Sequence, residues 1–178
     1  MKKFLLVLIF STTAVSLWNC EKDDICEEGT PTTPRMIIEF YDNNNPTALK
    51  SVTDLKVIAD GEANGIVFNE NATGDDKYRF DGNKLQLPLK TTADLVKYSF
   101  ILNDGNANTA LINNDIIDIN YTRKDVYISR ACGFKTVFEL TNPNGMVLNP
   151  DALNWIEEIT VQTNAINTEN EVHVKIYF

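Results

Sequence analysis

Four residues hold most of the chemistry that this sequence could perform, namely three cysteines and one histidine. A thiol can be acylated, oxidised to a disulfide or bound to a metal, and an imidazole can act as an acid or base. One histidine and three cysteines do not supply the ligand spacing of a zinc finger. The motifs of serine hydrolases, zinc proteases and nucleotide-binding loops are absent from the sequence. We therefore predict a protein that is not an enzyme and uses no cofactor, with His173 exposed on the outward face of the last strand.

Cys20 ends an apolar segment that begins just after two lysines. The run over residues 4–18 has no charge and is too short to cross a bilayer, which is typical of a secretory signal peptide. The residues Leu17-Trp18-Asn19-Cys20 resemble a bacterial lipobox, although two of its positions depart from the strict pattern. In a lipobox the thiol is alkylated with diacylglycerol, the chain is cut before the cysteine, and the new amine is acylated. We therefore predict a signal peptide over residues 1–19 and attachment to the membrane through lipid on Cys20.

Cys26 and Cys132 are the two cysteines that remain once Cys20 carries lipid, so only one pairing is possible. An exported chain enters an oxidising compartment. We predict a Cys26–Cys132 disulfide, and two buried free thiols are the alternative. The bond would close a loop of about 106 residues, worth on the order of 4–5 kcal/mol in the chain-entropy model. It would also fasten the lipid tether to the folded domain.

The charge of the chain excludes nucleic acid as a partner. The full sequence has a formal net charge of -9. Removing residues 1–19 leaves 14 of the 16 basic residues against all 25 acidic ones, a net charge of -11. A surface that acidic repels phosphate backbones.

A possible metal site lies between two predicted strands. Asp104, Asn106, Asn108 and Asp115 have part of the oxygen-ligand spacing of a calcium loop. The sixth position holds Thr109 in place of the expected glycine, and the twelfth holds aspartate in place of glutamate. The pattern therefore favours an ordinary connection between strands over a calcium site, and no metal is predicted.

The predicted elements are almost all short strands. Alternating apolar and polar residues recur along the chain, separated by turns rich in Gly, Asn and Asp, and no amphipathic helix of useful length is present. This pattern predicts an all-β protein, an antiparallel β-sandwich of immunoglobulin-like or related type, with a closed barrel as the alternative. We expect a lipidated tether and linker over residues 20–34 and a single domain over residues 35–178. The clearest predicted hairpin covers residues 78–89, around Asp81-Gly82-Asn83.

Three segments resemble an uncharacterised lipoprotein family of Bacteroidota that is classified only as a domain of unknown function. They are CEKDDIC at residues 20–26, MIIEFYD at 36–42 and SRACGF at 129–134. The resemblance covers nearly the whole mature chain and brings no catalytic residues with it. It implies that Lys22, Asp23 and Asp24 form a signal that exports the lipoprotein to the cell surface, and that an outer-membrane β-barrel protein is a plausible partner.

These observations predict a non-enzymatic interaction or accessory lipoprotein. We expect it to be anchored in the outer membrane and to face the cell surface, with the periplasmic face as the alternative. A glycan-binding module is the second hypothesis, and it predicts an open row of aromatic side chains on one sheet face. A carboxylate-dependent hydrolase is the third, and it predicts two acids that converge in a cleft.

Overall fold

The computed structural model describes residues 25–30 and 32–178, and twelve strands and two short 3-10 helices lie in this part of the chain. In chain order the strands are β1 (Met36–Asp42), β2 (Asn45–Leu49), β3 (Val52–Ala59), β4 (Arg79–Gly82), β5 (Lys84–Leu87), β6 (Leu95–Leu102), β7 (Asn113–Ser129), β8 (Gly133–Leu140), β9 (Met146–Asn149), β10 (Glu158–Val161), β11 (Ala165–Ile166) and β12 (Val174–Tyr177). The 3-10 helices span Gly74–Tyr78 and Thr109–Leu111.

The strands form two sheets. Five strands make the first sheet, in the order β10-β12-β1-β2, with β5 also paired to β1. Seven make the second, in the order β11-β8-β7-β6-β3-β4, with β9 also paired to β7. Strand β1 runs parallel to β12 and antiparallel to β2 and β5. The predicted β-sandwich is confirmed, and neither sheet closes into a barrel within the described residues.

The described chain divides into two compact units. The smaller unit, called the tip unit below, consists of residues 25–30 and Tyr127–Phe134. The larger unit contains the rest of the described chain.

Alternation along the strands builds the core of the larger unit. In β7, Ile117, Ile119 and Tyr121 are buried, and the residues between them are only partly buried. This period of two is the pattern expected of a strand that buries one face. The largest fully buried side chains of this core include Phe40, Phe100, Phe138, Met36, Leu55 and Leu85.

Residues 78–89 do not form the predicted hairpin. Strand β4 pairs with β3 in the second sheet, whereas β5 pairs with β1 in the first. The segment Asp81-Gly82-Asn83 therefore takes the chain from one sheet to the other. Gly82 has a φ of 151°, and a Cβ there would lie 3.0 Å from the Phe80 ring. The expectation was wrong because Asp-Gly marks a turn in the chain without specifying which strand will be the partner.

Candidate functional site

The tip unit is closed by a covalent bond. Cys26 and Cys132 form a disulfide with their Cα atoms 4.8 Å apart and 106 residues between them in sequence. The pairing predicted from the cysteine count is thus confirmed. The backbone N–H of Cys132 donates to Ser129 Oγ at 3.0 Å, and Thr30 Oγ1 donates to the carbonyl of Glu27 at 2.7 Å. These bonds fix the local turns on both sides of the disulfide.

Large apolar side chains are exposed in the tip unit. Ile25 is 80% exposed, Phe134 is 68% exposed and Tyr127 is 55% exposed. The rings of Tyr127 and Phe134 contact each other edge to face, with centroids 5.3 Å apart. We call Ile25, Tyr127 and Phe134 the tip cluster. Contiguous exposed apolar surface is typical of interaction sites.

A cleft of about 460 Å³ opens beside the disulfide within the tip unit. Its lining includes Ile25, Tyr127 and Cys132. Glu27 is the one acidic side chain among its lining residues. Because glycoside hydrolysis usually needs a pair of carboxyl groups, this cleft does not have the acid pair that the hydrolase hypothesis requires.

Sequence reasoning did not single out the tip cluster. Tyr127 and Phe134 lie on either side of the turn at residues 130–132, one near the end of β7 and the other at the start of β8. Two aromatic residues that flank one hairpin turn can meet across the strands. That spacing was the available signal, but it does not reveal whether the rings are buried or exposed.

The predicted lipidation site and export signal cannot be placed. Cys20, Lys22, Asp23 and Asp24 lie outside the described residues. Within the described residues, no helix is both long enough and apolar enough to span a bilayer.

The four calcium candidates are held by contacts within the protein. The carboxylate of Asp104 accepts from Arg79 Nε at 3.1 Å and lies 3.8 Å from Lys56 Nζ. Asn106 Oδ1 accepts the backbone N–H of Asn108 at 2.9 Å. The Asn108 side chain caps the 3-10 helix at Thr109–Leu111 by accepting from Ala110. Across the described residues, no group of three or more His, Cys, Asp or Glu side chains is placed to hold a metal ion.

Asp115 has a structural role in the core. It is fully buried, and its carboxylate oxygens accept the backbone N–H of Ile156 at 2.8 Å and of Trp155 at 3.3 Å. The Trp155 indole donates to the carbonyl of Phe100, which is the register partner of Asp115. Burial raises the pKa of Asp115 above its ordinary value, although the two backbone N–H groups act in the opposite direction.

His173 is buried, so the expectation that it faces solvent was wrong. Its side chain is fully enclosed, and Nδ1 accepts the backbone N–H of Ile37 at 2.8 Å. In return, the His173 backbone N–H donates to the Ile37 carbonyl at 3.0 Å. The face of the sheet opposite the core is covered at this point, because Ile37, which alternates with the core residues Met36 and Ile38 along β1, is also fully buried.

The protonation state of His173 follows from this geometry. Because Nδ1 accepts a hydrogen bond, the neutral ring carries its proton on Nε2. Burial lowers the pKa of His173, and the nearby carboxylates of Glu171 and Glu169 oppose that shift. A neutral, buried imidazole whose acceptor nitrogen is already engaged is a structural element and is not available as a general base for a bound substrate.

A second side chain also completes the hydrogen bonding at the start of β1. Glu169 accepts from the backbone N–H, Nε and Nη2 of Arg35, each at 2.9 Å. The hydrogen bond from Arg35 lowers the pKa of Glu169. Glu169 and His173 thus satisfy the amides of Arg35 and Ile37 with side-chain acceptors in place of strand carbonyls.

The outer face of the first sheet has an aromatic pair, and a lysine lies over one of its two rings. Tyr41 and Tyr177 are register neighbours on β1 and β12, with ring centroids 5.6 Å apart. Lys175 Nζ lies 4.8 Å from the centroid of Tyr41, and the Tyr41 hydroxyl donates to Glu39. A sugar stacks on a free ring face. The lysine over Tyr41 therefore does not favour the glycan-binding hypothesis.

Comparison with known proteins identifies the family. A model described as "Family of unknown function (DUF6452)" matches residues 54–178. The chain belongs to DUF6452. This DUF6452 match begins after β1, so it includes Cys132 and excludes Cys26. No curated protein and no solved structure matches the chain. The expectation of a domain of unknown function is therefore confirmed.

Asp115→Ala should lower the free energy of unfolding by about 2–4 kcal/mol, because two buried backbone N–H groups lose their acceptor. Urea denaturation measures the change. Asp75→Ala, at an exposed aspartate in the first 3-10 helix, is the control and should change it by less than about 0.5 kcal/mol. Calcium chloride should leave the wild-type midpoint unchanged. A calcium-dependent increase that Asp115→Ala abolishes would contradict this structural role.

The stability of the protein should fall as the pH drops below about 6.5, because His173 protonates more easily in the unfolded chain than in the folded one. Its contribution is complete above the unfolded pKa and is lost by up to about 1.4 kcal/mol per pH unit below it. Urea titrations between pH 8 and pH 5 measure this slope. His173→Asn keeps an acceptor oxygen for Ile37 but does not titrate, so its slope should be smaller. Equal slopes in the two proteins would rule out His173 as the source.

Proposed function

We propose that this DUF6452 protein is an outer-membrane lipoprotein, anchored through Cys20, whose β-sandwich is a non-enzymatic interaction module at the cell surface. The Cys26–Cys132 disulfide is the observation that carries the proposal. A disulfide of this kind persists in an oxidising compartment, which supports export of the chain. Cys26 follows Cys20 by six residues, which supports a short tether that ends on the folded protein.

Several features of the tether agree with this proposal. The apolar run over residues 4–18 stops at Cys20, and the next residues are Glu21-Lys22-Asp23-Asp24. A charged segment of this kind cannot continue a helix into lipid. More than one acyl chain on a single residue gives lasting attachment, whereas one chain alone is marginal. The folded domain would then need no binding energy of its own to stay at the membrane.

An interaction role is favoured over catalysis by the chemistry of the described residues. The buried acid Asp115 and the buried imidazole His173 are both bound to backbone groups. The cleft in the tip unit has one carboxylate. The exposed aromatic pair at Tyr127 and Phe134 is, by contrast, typical of surfaces that contact a partner or a membrane. An outer-membrane β-barrel protein is the macromolecular partner that we propose.

Mass spectrometry of the mature protein tests the anchor. We expect an N-terminus at Cys20 that carries a diacylglyceryl thioether and an acylated amine. Cys20→Ala should remain uncleaved and unacylated, while the Cys26–Cys132 disulfide should still form because neither of its cysteines is changed. A mature chain that begins elsewhere, or that begins at an unmodified Cys20, would refute lipidation.

Protease treatment of intact cells tests which leaflet the protein occupies. The wild-type protein should be digested from outside, because Lys22, Asp23 and Asp24 are proposed to direct it to the surface. Replacing all three by alanine should keep the acyl chains but protect the protein from external protease. Replacing the neighbouring acids Glu27 and Glu28 by alanine is the matched control and should leave digestion unchanged. Protection of the wild type would place the protein on the periplasmic face.

A further inference from the structure

The tip unit concentrates exposed apolar surface in few residues. Nine large hydrophobic residues are exposed among those that the structure describes, and three of them form the tip cluster. Ile25 and Tyr127 line the same cleft, and Tyr127 contacts Phe134, so the three side chains are neighbours. This grouping is what distinguishes the tip cluster from the other six exposed residues, since singly exposed apolar residues are ordinary.

The length of the tether limits how far the tip cluster can be from lipid. Six residues separate Cys20 from Cys26, and an extended chain covers at most about 3.6 Å per residue. Cys26 therefore cannot be more than about 22 Å from the acylated residue. The disulfide places Cys132 next to Cys26, and Phe134 follows Cys132 by two residues. A lipid anchor on Cys20 would thus keep the tip unit close to the headgroups.

The chemistry of the cluster fits the membrane interface. Tyrosine is enriched at the headgroup level, because its ring is apolar and its hydroxyl remains in water. Phenylalanine and isoleucine supply apolar surface that can enter the boundary between headgroups and acyl chains. Among its described residues, the tip unit also has two exposed acids, Glu27 and Glu28, and one exposed base, Arg130. Because the acids outnumber the base, the contact we describe depends on apolar burial and not on attraction to anionic lipid.

We infer that the tip cluster inserts its side chains into the lipid headgroup region and gives the anchored protein a second point of attachment. This inference rests on the proposed lipidation of Cys20. The acyl chains would supply the binding strength, and the tip cluster would fix which part of the tip unit meets the bilayer. A single flexible anchor cannot do this, because it leaves the attached body free to rotate.

Fluorescence quenching by brominated lipid tests the inference on the full lipidated protein. Phe134→Trp places a reporter in the tip cluster, and Leu111→Trp places a matched reporter at an exposed site of the larger unit. Both proteins are reconstituted in vesicles of phosphatidylethanolamine and phosphatidylglycerol, with and without bromine on the acyl chains. After the Trp155 signal is subtracted, bromine should reduce the emission of Phe134→Trp about two-fold and leave Leu111→Trp unchanged.

Each outcome has a separate meaning. A protein that sediments with the vesicles, has the acyl mass, and shows no quenching at Phe134→Trp overturns the inference but leaves the lipid anchor intact. A protein without acyl chains that stays in solution refutes the proposed function itself. Emission from Phe134→Trp that depends on protein concentration and not on bromine would show that a second copy covers the cluster, which also overturns the inference. Tyr127→Trp repeats the measurement if Phe134→Trp does not fold.

Discussion

Strand β1 is the common partner on which the first sheet depends. Strands β2, β5 and β12 each pair with β1, and β10 joins the sheet only through β12. Met36, Ile37 and Ile38 are fully buried, so every backbone group along this stretch needs a partner. A side chain supplies one of those partners, because His173 accepts from Ile37. Glu169 accepts from the exposed backbone N–H of Arg35 just before the strand. The one imidazole of the sequence is therefore used to complete the hydrogen bonding of a strand.

The sequence predicts local strands well and their partners poorly. Alternation along β1, β6 and β7 was visible because each strand buries one or both faces in the core. The disulfide followed from counting cysteines. The prediction of a hairpin at residues 78–89 was wrong because turn chemistry is local, whereas the choice between two sheets depends on packing with distant residues. The exposure of His173 was predicted wrongly because alternation assigns a residue to one face of a sheet but does not show whether the rest of the chain covers that face, as it does at Ile37 and His173.

In the candidate site too, local signals were visible in the sequence, whereas the exposure of the side chains was not. Cys26 and Cys132 could be found from the sequence, but the exposure of Tyr127 and Phe134 could not, because it depends on what packs over the turn and not on the local sequence. The proposed lipid on Cys20, together with the disulfide, would give a short tether that ends on a closed turn. The acidic core residue Asp115 could be read as a ligand from spacing alone, and only its burial and backbone contacts show its structural role.

The parallel pairing of β1 with β12 has a consequence for when this protein can fold. Residues 37 and 173 meet although 136 positions separate them, so the first sheet joins the beginning of the domain to its end. Contacts at such separations form late, because the chain between the two residues must first close into a loop, and this costs conformational entropy before the contact can stabilise the fold. A chain secreted amino terminus first would wait for its last residues to cross the membrane before β1 gained this neighbour. In an exported chain, this topology would delay completion of the first sheet until the last strand had crossed the membrane.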